Sequence, residues 1–212
     1  MEQDMRRSHA RMPGWLVAHG AARSEIYPLL AALLKPAPTE ELLGILRNLQ
    51  SEEALPERMG HALGTLRKAA RDHSRAAVET EYNALFVGLG SGELAPYASW
   101  YREKRTQPAP LASLRSDLIG LGIVRQARCH EPEDHAGVLC EIMAILSRRP
   151  GGAARTAEER FFQRHVAPWL MIFFEDLRMA KNADFYRAVG SFGRCFLEIE
   201  HEYWNHHSHL QS

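Results

Sequence analysis

The sequence is poor in cysteine, and this scarcity excludes two classes of protein. Its three cysteines, Cys129, Cys140 and Cys195, are widely spaced and form no C-x-x-C pair. That spacing argues against a disulfide framework and against a cysteine zinc site. Cys140 and Cys195 fall within helical patterns, so we expect both to be small core residues. A reducing cytoplasm is the simplest compartment for such a chain.

The sequence also lacks an excess of either charge and any long apolar run. Lys plus Arg and Asp plus Glu number 26 each in 212 residues, whereas a general nucleic-acid binder normally has a basic excess. No apolar run approaches the roughly 20 residues that cross a bilayer, so we expect no stable membrane insertion. Arg6-Arg7 resembles part of an export signal, but the apolar run Trp15 to Ala18 is too short for one. We therefore expect the protein not to be exported.

No segment shows the alternation of apolar and polar residues that is typical of strands. Apolar residues recur instead at three- and four-residue steps, which predicts an all-α, single-domain bundle of about eight helices. The chain is long enough to bury a core without disulfides. The predicted helices cover residues 22–35, 39–49, 56–72, 74–87, 110–121, 132–146, 156–177 and 185–204.

The two ends of the chain are predicted to lie outside the folded domain. Residues 1–20 are polar and are expected to be disordered, the helical domain spans 21–204, and 205–212 form a His-rich tail. Residues 148–154 contain a Pro-Gly-Gly break and are a candidate hinge. A short hinge permits the exchange of C-terminal helices between subunits, although a monomer is the default expectation.

Side chains at several positions are predicted to begin or bend helices. Thr39 suits an N-cap, because its hydroxyl can accept from a free backbone N–H. Thr156 and Glu159 have the spacing of a capping box. Pro168 is expected to kink the helix that contains it. Asp184 is expected to cap the last helix.

The most informative stretch is EPEDHAGVLCEIMAIL, residues 131–146. Pro132 suits the first position of a helix, where its missing N–H is not needed. Glu133 and Asp134 would then lie in the first turn, where the helix dipole favours carboxylates. The apolar residues that follow share one helix face. The stretch therefore predicts a buried helix beneath a short acidic mouth.

A second stretch, residues 81–101, ends a helix and continues into an aromatic loop. Its side chains of interest are Leu85, Phe86, Pro96, Tyr97, Trp100 and Tyr101. Aromatic residues beside a stiffening proline are suited to the capture of an apolar peptide. Leu85 and Phe86 are equally well explained by core packing, whereas Tyr97 and Trp100 are less easily explained in that way.

The glycines of this loop do not indicate a nucleotide site. Gly88, Gly90 and Gly92 alternate along the chain, but no strand precedes them and no Lys-Ser or Lys-Thr pair follows. They favour a flexible loop over a phosphate cradle. A nucleotide-regulated adaptor is kept as an alternative function.

Neither a catalytic site nor a metal site is predicted. Glu198 and His201 have the Glu-x-x-His spacing of di-iron bundles, but a second such motif is missing. Asp134 and His135 are sequence neighbours, so on a helix they would point in different directions and would not form a dyad. No nucleophile motif accompanies them. A helical metal-binding protein is the alternative from another class.

The two stretches together resemble the TorD/DmsD family of redox-enzyme maturation chaperones. The matching pieces are E-Y-x-x-L-F-x-G at 81–88, P-Y-x-S-x-Y at 96–101, E-P-E-D-H at 131–135 and H-x-x-P-W at 165–169. Their order, their spacing and the all-helical pattern fit that family. The resemblance covers residues 20–204.

The resemblance implies a cytoplasmic chaperone with no enzymatic activity and no cofactor. Such a chaperone binds the twin-arginine signal peptide, or the body, of the catalytic subunit of a molybdopterin oxidoreductase, and holds it for cofactor insertion before export. A chaperone of the same fold for a non-exported molybdoenzyme subunit, as in NarJ-like relatives, is the alternative. The candidate peptide-binding residues are Leu85, Phe86, Pro96, Tyr97, Ser99, Trp100, Tyr101, Glu131, Asp134 and His135.

One position departs from the family pattern. Ala98 stands where members often have an acidic residue between the aromatic residue and the serine. We therefore expect other carboxylates to meet the arginines of the client. The candidates are Glu93, Glu131, Glu133 and Asp134, and our hypothesis uses Asp134 and Glu131. The apolar part of the peptide would lie on the aromatic loop, including Tyr97 and Trp100. Apolar anchors are then expected to set affinity and the acidic mouth to set register.

Overall fold

The computed structural model describes residues 14–49, 55–87, 92–102, 110–125 and 131–211. Within these ranges the chain has ten α-helices and no strand, which confirms the predicted all-α class. Two π-helical turns, Asn83–Val87 and Phe162–Val166, continue the fourth and eighth helices. The helices are α1 (Gly14–Leu34), α2 (Glu40–Asn48), α3 (Glu57–Asp72), α4 (Arg75–Tyr82), α5 (Ala98–Arg102), α6 (Pro110–Gly120), α7 (Ala136–Ser147), α8 (Gly152–Phe161), α9 (Leu170–Met179) and α10 (Phe185–Gln211).

The core forms where α7 packs against α1 and where α10 packs against α9 and α3. α7 is buried on nearly every side, as the apolar run in its sequence predicts. Burial of each large apolar side chain contributes about 1.5–3 kcal/mol to stability. The largest buried side chains are Tyr27, Phe162, Trp169, Phe173, Phe174, Phe185, Tyr186, Phe192, Phe196 and Trp204.

Two glycines of α10 allow it to lie unusually close to α9. A Cβ atom at Gly193 would stand 2.4 Å from Cε1 of Phe174, and one at Gly190 would stand 2.6 Å from the backbone N of Arg178. Neither distance leaves room for a methyl group, so the close packing of the two helices requires glycine at both positions. The position of α9 in the fold is therefore set by α10.

Several predicted helix ends are confirmed. The Thr39 hydroxyl accepts a hydrogen bond of 3.2 Å from the backbone N–H of Leu42, which caps α2. α6 ends at Gly120, and Gly122 in the turn that follows lies in the left-handed region at φ 65°. The backbone N–H of Ile123 then donates to the carbonyl of Leu118 over 3.0 Å, which closes the end of the helix.

The predicted start of α7 at Pro132 is wrong. The helix begins at Ala136, and His135 is its N-cap, with extended φ and ψ angles of −67° and 137°. Glu133 and Asp134 lie in the turn before the helix and not in its first turn. The reason is tertiary, because the backbone of this segment bonds to a neighbouring segment of the chain, as described below.

The predicted capping box and the predicted kink are also wrong. α8 begins at Gly152, so Thr156 lies inside the helix, where its hydroxyl donates to the carbonyl of Gly152 over 3.1 Å. Pro168 lies in a turn, residues 167–169, that separates the π-helical turn from α9. Proline has no N–H to continue a helix, and the helix here is interrupted and not merely bent.

Both terminal helices extend beyond the predicted domain limits. α1 begins at Gly14, so residue 20 is not a helix boundary, and Pro28 lies within the helix. α10 continues to Gln211 and buries His207. None of the described helices is both long and apolar enough to cross a membrane. The hinge predicted at 148–154 overlaps the connection between α7 and α8, residues 148–151, while residues 152–154 belong to α8. Helix exchange through it stays a prediction.

Candidate functional site

The two stretches singled out in the sequence meet in the structure. We call residues 131–136 the anchor, because they hold the start of α5 in place. Tyr97 and His135 form an isolated antiparallel bridge. The backbone N–H of Ala98 donates to the carbonyl of Asp134 over 3.0 Å, and the N–H of Ala136 donates to the carbonyl of Pro96 over 2.8 Å. These bonds attach the segment before α5 to the segment before α7.

Asp134 strengthens this attachment through its side chain. It is 2% exposed, and its carboxylate accepts a 2.9 Å hydrogen bond from the backbone N–H of Ser99, in the first turn of α5. A carboxylate is favoured at the start of a helix, where backbone N–H groups are unsatisfied. In this structure Asp134 caps α5 and does not reach the surface.

His135 is equally enclosed. Its Nδ1 accepts a 3.0 Å hydrogen bond from the backbone N–H of Gly137, and its ring packs edge-on against Tyr97 at 5.2 Å between centroids. Burial lowers the pKa of His135 to about 4. The neutral ring is required here, because a protonated Nδ1 could not accept from Gly137.

The two other carboxylates of the anchor are also engaged. Glu131 accepts a 3.0 Å hydrogen bond from the hydroxyl of Tyr97, and burial, aided by this carboxylate, raises the pKa of Tyr97 to about 12. Glu133 pairs with Arg115 at 2.9 Å and lies 3.9 Å from Arg125. The hydrogen bond from Arg115 lowers the pKa of Glu133. The anchor is therefore a connected network and not an open acidic mouth.

The apolar candidates divide into buried and exposed groups. Leu85, Pro96 and Ala98 are buried. Phe86 is half-buried in a cluster of rings with Tyr82, Phe173 and Tyr186. These residues pack toward the interior of the protein.

Trp100 is the large side chain of this segment that faces solvent. It lies on α5, a short helix that the sequence pattern presents only as loop, and it is 66% exposed. The next residue, Tyr101, packs its ring on Trp169 at 5.4 Å and donates its hydroxyl to Asp176 of α9 over 3.0 Å. Tyr101 thus holds α5 against α9, and Asp134 holds the start of α5, while Trp100 points to solvent.

Two glutamates, neither of which the sequence predicts to have this role, fix the stretch 81–101 to the rest of the fold. Glu93 accepts from the backbone N–H groups of Lys181 and Asn182, at 2.5 and 3.0 Å. Glu81 accepts from the N–H groups of residues 184, 185 and 186, at 2.7 to 3.0 Å. Glu81, and not Asp184 as predicted, therefore caps α10, while Asp184 lies 3.1 Å from His73.

Replacing Glu81 by alanine is expected to lower the free energy of unfolding by about 1–2 kcal/mol, because α10 loses its capping carboxylate. Thermal or urea unfolding measures the change. Glu79→Ala is the matched control, since Glu79 makes only an exposed i,i+4 pair with Arg75 and should shift stability by less than about 0.5 kcal/mol. Equal effects of the two substitutions would contradict the capping role.

The residues considered for metal binding have other partners. Glu198 pairs with Arg194 at 2.9 Å, and Nδ1 of His201 lies 2.7 Å from the carbonyl of Leu197. Across the described ranges no cluster of three or more His, Cys, Asp or Glu side chains is arranged to hold a metal ion. Gly88 and Gly90 lie outside the described residues, as does Cys129.

Comparison with known proteins finds two similar chaperones and one similar solved structure. The chaperone TorD of Vibrio cholerae serotype O1 is 23% identical over 195 residues, covering 83% of this chain and 89% of TorD. The probable Tat proofreading chaperone DmsD of Haemophilus influenzae is 30% identical over 115 residues, about half of each chain. A crystallised protein from Archaeoglobus fulgidus, titled a putative redox enzyme maturation protein, superposes with a TM-score of 0.56 at 19% identity, over 82% of this chain and 93% of its own.

The protein thus has the all-helical fold of redox enzyme maturation proteins. The profile of the nitrate reductase delta subunit family matches residues 52–175, more than half of the chain. The chain belongs to that family, and its resemblance to TorD and DmsD is confirmed.

Proposed function

We propose that the protein is a maturation chaperone that binds the twin-arginine signal peptide of the catalytic subunit of a molybdopterin oxidoreductase. It holds this precursor until the cofactor is inserted, before export. The observation that carries the proposal is Trp100, a large aromatic side chain that is 66% exposed on a helix held at its start by Asp134. Membership of the family and the similarity to TorD and DmsD support it.

A rigidly presented tryptophan is suited to peptide binding. Aromatic anchors dominate the affinity of many interfaces, and a surface that is ordered before binding loses less conformational entropy when the partner arrives. The bonds from the anchor to residues 96–99 supply that order. The contact between Trp100 and the peptide would be completed by four partly exposed side chains, Phe86, Tyr97, Tyr101 and Glu131.

The buried candidates take a different part in this proposal. Leu85, Pro96, Asp134 and His135 have almost no free surface, so they would support the binding surface from beneath. Ser99 contributes through its backbone N–H. The hydrogen-bonding side chains of the anchor are already bonded to other groups of the protein, which favours a chaperone over an enzyme.

The test is isothermal titration with a synthetic twin-arginine signal peptide from a molybdopterin oxidoreductase of the same genome. Loss of an exposed aromatic anchor typically reduces binding by about 2 kcal/mol, or about 30-fold, and we expect this for Trp100→Ala. Ile45→Ala is the control, because Ile45 is similarly exposed, at 53%, but lies on α2. Equal affinity of the two variants would refute the role of Trp100.

The alternative candidate function is recognition of the mature body of a non-exported molybdoenzyme subunit. The observation that favours it is the family itself, whose profile carries the name of the nitrate reductase delta subunit. Binding of a signal-less catalytic subunit, together with no binding of any signal peptide, would select this alternative.

A further inference from the structure

The outer face of α9 combines apolar and acidic side chains in one row. Ile172, Asp176 and Met179 follow at intervals of four and three residues, so they lie on the same side of the helix. All three are exposed, Ile172 by 48% and Met179 by 62%. Large apolar residues on the solvent side of a helix are unusual when they form a row, so this face is a candidate for a contact.

This face is joined to the segment that carries Trp100. The Tyr101 hydroxyl donates to Asp176 over 3.0 Å, and the Tyr101 ring packs on Trp169 and Phe173. Trp100 is the neighbouring residue on α5. We treat Trp100 and the α9 row as one candidate surface, because Tyr101, the residue that follows Trp100, is bonded to Asp176 in the middle of the row.

Asp176 is also the carboxylate of this surface that is available to a cation. Glu175 beside it already pairs with Arg178 at 2.7 Å and lies 3.5 Å from Arg194. Asp134, the carboxylate expected from the sequence, is buried beneath Ser99. No cation of the described parts of the chain lies within ion-pairing distance of Asp176, whose bond is to the tyrosine hydroxyl.

We infer that Asp176 receives an arginine of the bound peptide, and that the apolar segment beside that arginine lies on Trp100 and on one end of the α9 row. This inference rests on the proposed function and deepens it by naming the docking surface. A twin-arginine signal has a cationic pair next to an apolar segment, which matches an acidic group flanked by apolar ones. A guanidinium can approach a carboxylate with two parallel N–H groups, so the pair also fixes orientation.

The test crosses two proteins with two peptides. Wild type and Asp176→Asn are titrated with the twin-arginine peptide and with the same peptide in which both arginines are glutamine. Asparagine keeps an acceptor for the Tyr101 hydroxyl and removes only the charge. We expect Asp176→Asn to bind the arginine peptide about fivefold more weakly, and both proteins to bind the glutamine peptide equally.

Two further variants separate this site from its alternatives. Glu25→Gln removes a carboxylate of α1 that is 79% exposed and lies 3.6 Å from Arg148, and it should leave both affinities unchanged. Glu131→Gln tests the anchor. If Glu131→Gln weakens the arginine peptide selectively and Asp176→Asn does not, the arginine binds at the anchor and the inference is wrong.

The outcome also distinguishes this inference from the proposed function. If wild type binds the arginine peptide and Asp176→Asn binds it equally well, the docking surface is wrong and the chaperone function stands. If wild type binds neither peptide, recognition of the signal fails, and the inference fails with it. Asp176 is exposed, so the variant should unfold at the wild-type temperature.

Discussion

Replacing Arg23 by methionine is expected to lower the free energy of unfolding by about 3–5 kcal/mol, because it leaves two buried carboxylates without their cation. Arg23 is 2% exposed. Its Nε lies 2.5 Å from Oε1 of Glu200, and its Nη2 lies 2.9 Å from Oε2 of Glu200 and 2.8 Å from Oε1 of Glu158. The group connects α1 to α8 and α10.

The surroundings of Arg23 explain why the loss should be large. The guanidinium lies 4.6 Å from the ring centroids of Tyr203 and Trp204, and Tyr27 donates to Glu200 over 2.5 Å. Burial disfavours the charge, but the two glutamates outweigh it and raise the pKa of Arg23. Burial also disfavours the charged form of Glu158 and raises its pKa, whereas the charge of Arg23 acts to lower it. Methionine fills the space and supplies none of this compensation.

Urea unfolding at neutral pH measures the effect against a matched arginine. Arg58 pairs with Glu202 on the surface, with both side chains 44% exposed, so Arg58→Met should change stability by less than about 1 kcal/mol. Adding Glu200→Gln to Arg23→Met should recover part of the loss, because one uncompensated charge disappears. A loss equal to that of Arg58→Met would show that water reaches the Arg23 site.

This buried group shows what a helix pattern does and does not reveal. Leu30, Leu139 and Phe196 recur with other apolar residues at helical spacing, which favours an inward position, and all three are buried. The same spacing gives no reason to bury Arg23 or Glu200, since charged residues are normally solvated. Their burial depends on a partner 177 residues away in the sequence, and such a partner cannot be read from local periodicity.

The predicted start of α7 is wrong for the same physical reason. Pro132 carries a strong local signal for the first turn of a helix, yet the backbone of Asp134 and Ala136 bonds to residues 96–98, and the helix is delayed to Ala136. Thr39 was predicted correctly because the N–H that it caps, that of Leu42, is three residues away. Caps from distant residues, as Glu81 provides for α10, leave no local signal.

The motifs indicate which segments form the candidate site, but they do not indicate which of its side chains are exposed. The sequence indicates that residues 81–101 and 131–135 belong together, and the structure joins them through Tyr97 and His135. An acidic residue beside a histidine looks like a surface feature, but both Asp134 and His135 are buried. Only the three-dimensional structure shows that the hydroxyl of Tyr101, the residue that follows Trp100, is bonded to Asp176 of α9.

The second large effect is expected from acid. His135 has a pKa of about 4 in the folded protein because burial disfavours its charged form, while in the unfolded chain a histidine titrates near 6.5. Above about pH 6.5 both states are neutral and His135 adds no pH dependence. Between about pH 6.5 and 4 the unfolded chain binds a proton that the folded protein does not, so stability falls as the pH falls.

The size of this loss follows from the difference between the two pKa values. A shift from 6.5 to about 4 corresponds to about 3 kcal/mol at 1.36 kcal/mol per unit, reached once the pH is near 4. Burial has the largest effect on the pKa of His135, and neighbouring charges have smaller ones. Glu131 and Asp134 favour the charged ring, while Lys35, which is paired with Glu141 at 2.8 Å, opposes it. Protonation would also end the bond from Gly137 to Nδ1.

His135→Asn isolates this contribution, since an asparagine side chain can cap α7 but does not titrate. Urea unfolding of both proteins at pH 7 and pH 4.5 gives the difference in their pH dependence. Buried His165, whose pKa burial also lowers, is present in both and cancels. Wild type should lose about 2–3 kcal/mol more than the variant over this interval. If both proteins showed the same pH dependence, the anchor would open at a higher pH than the one at which buried His135 binds a proton. The site around Trp100 would then lose its support well above pH 4.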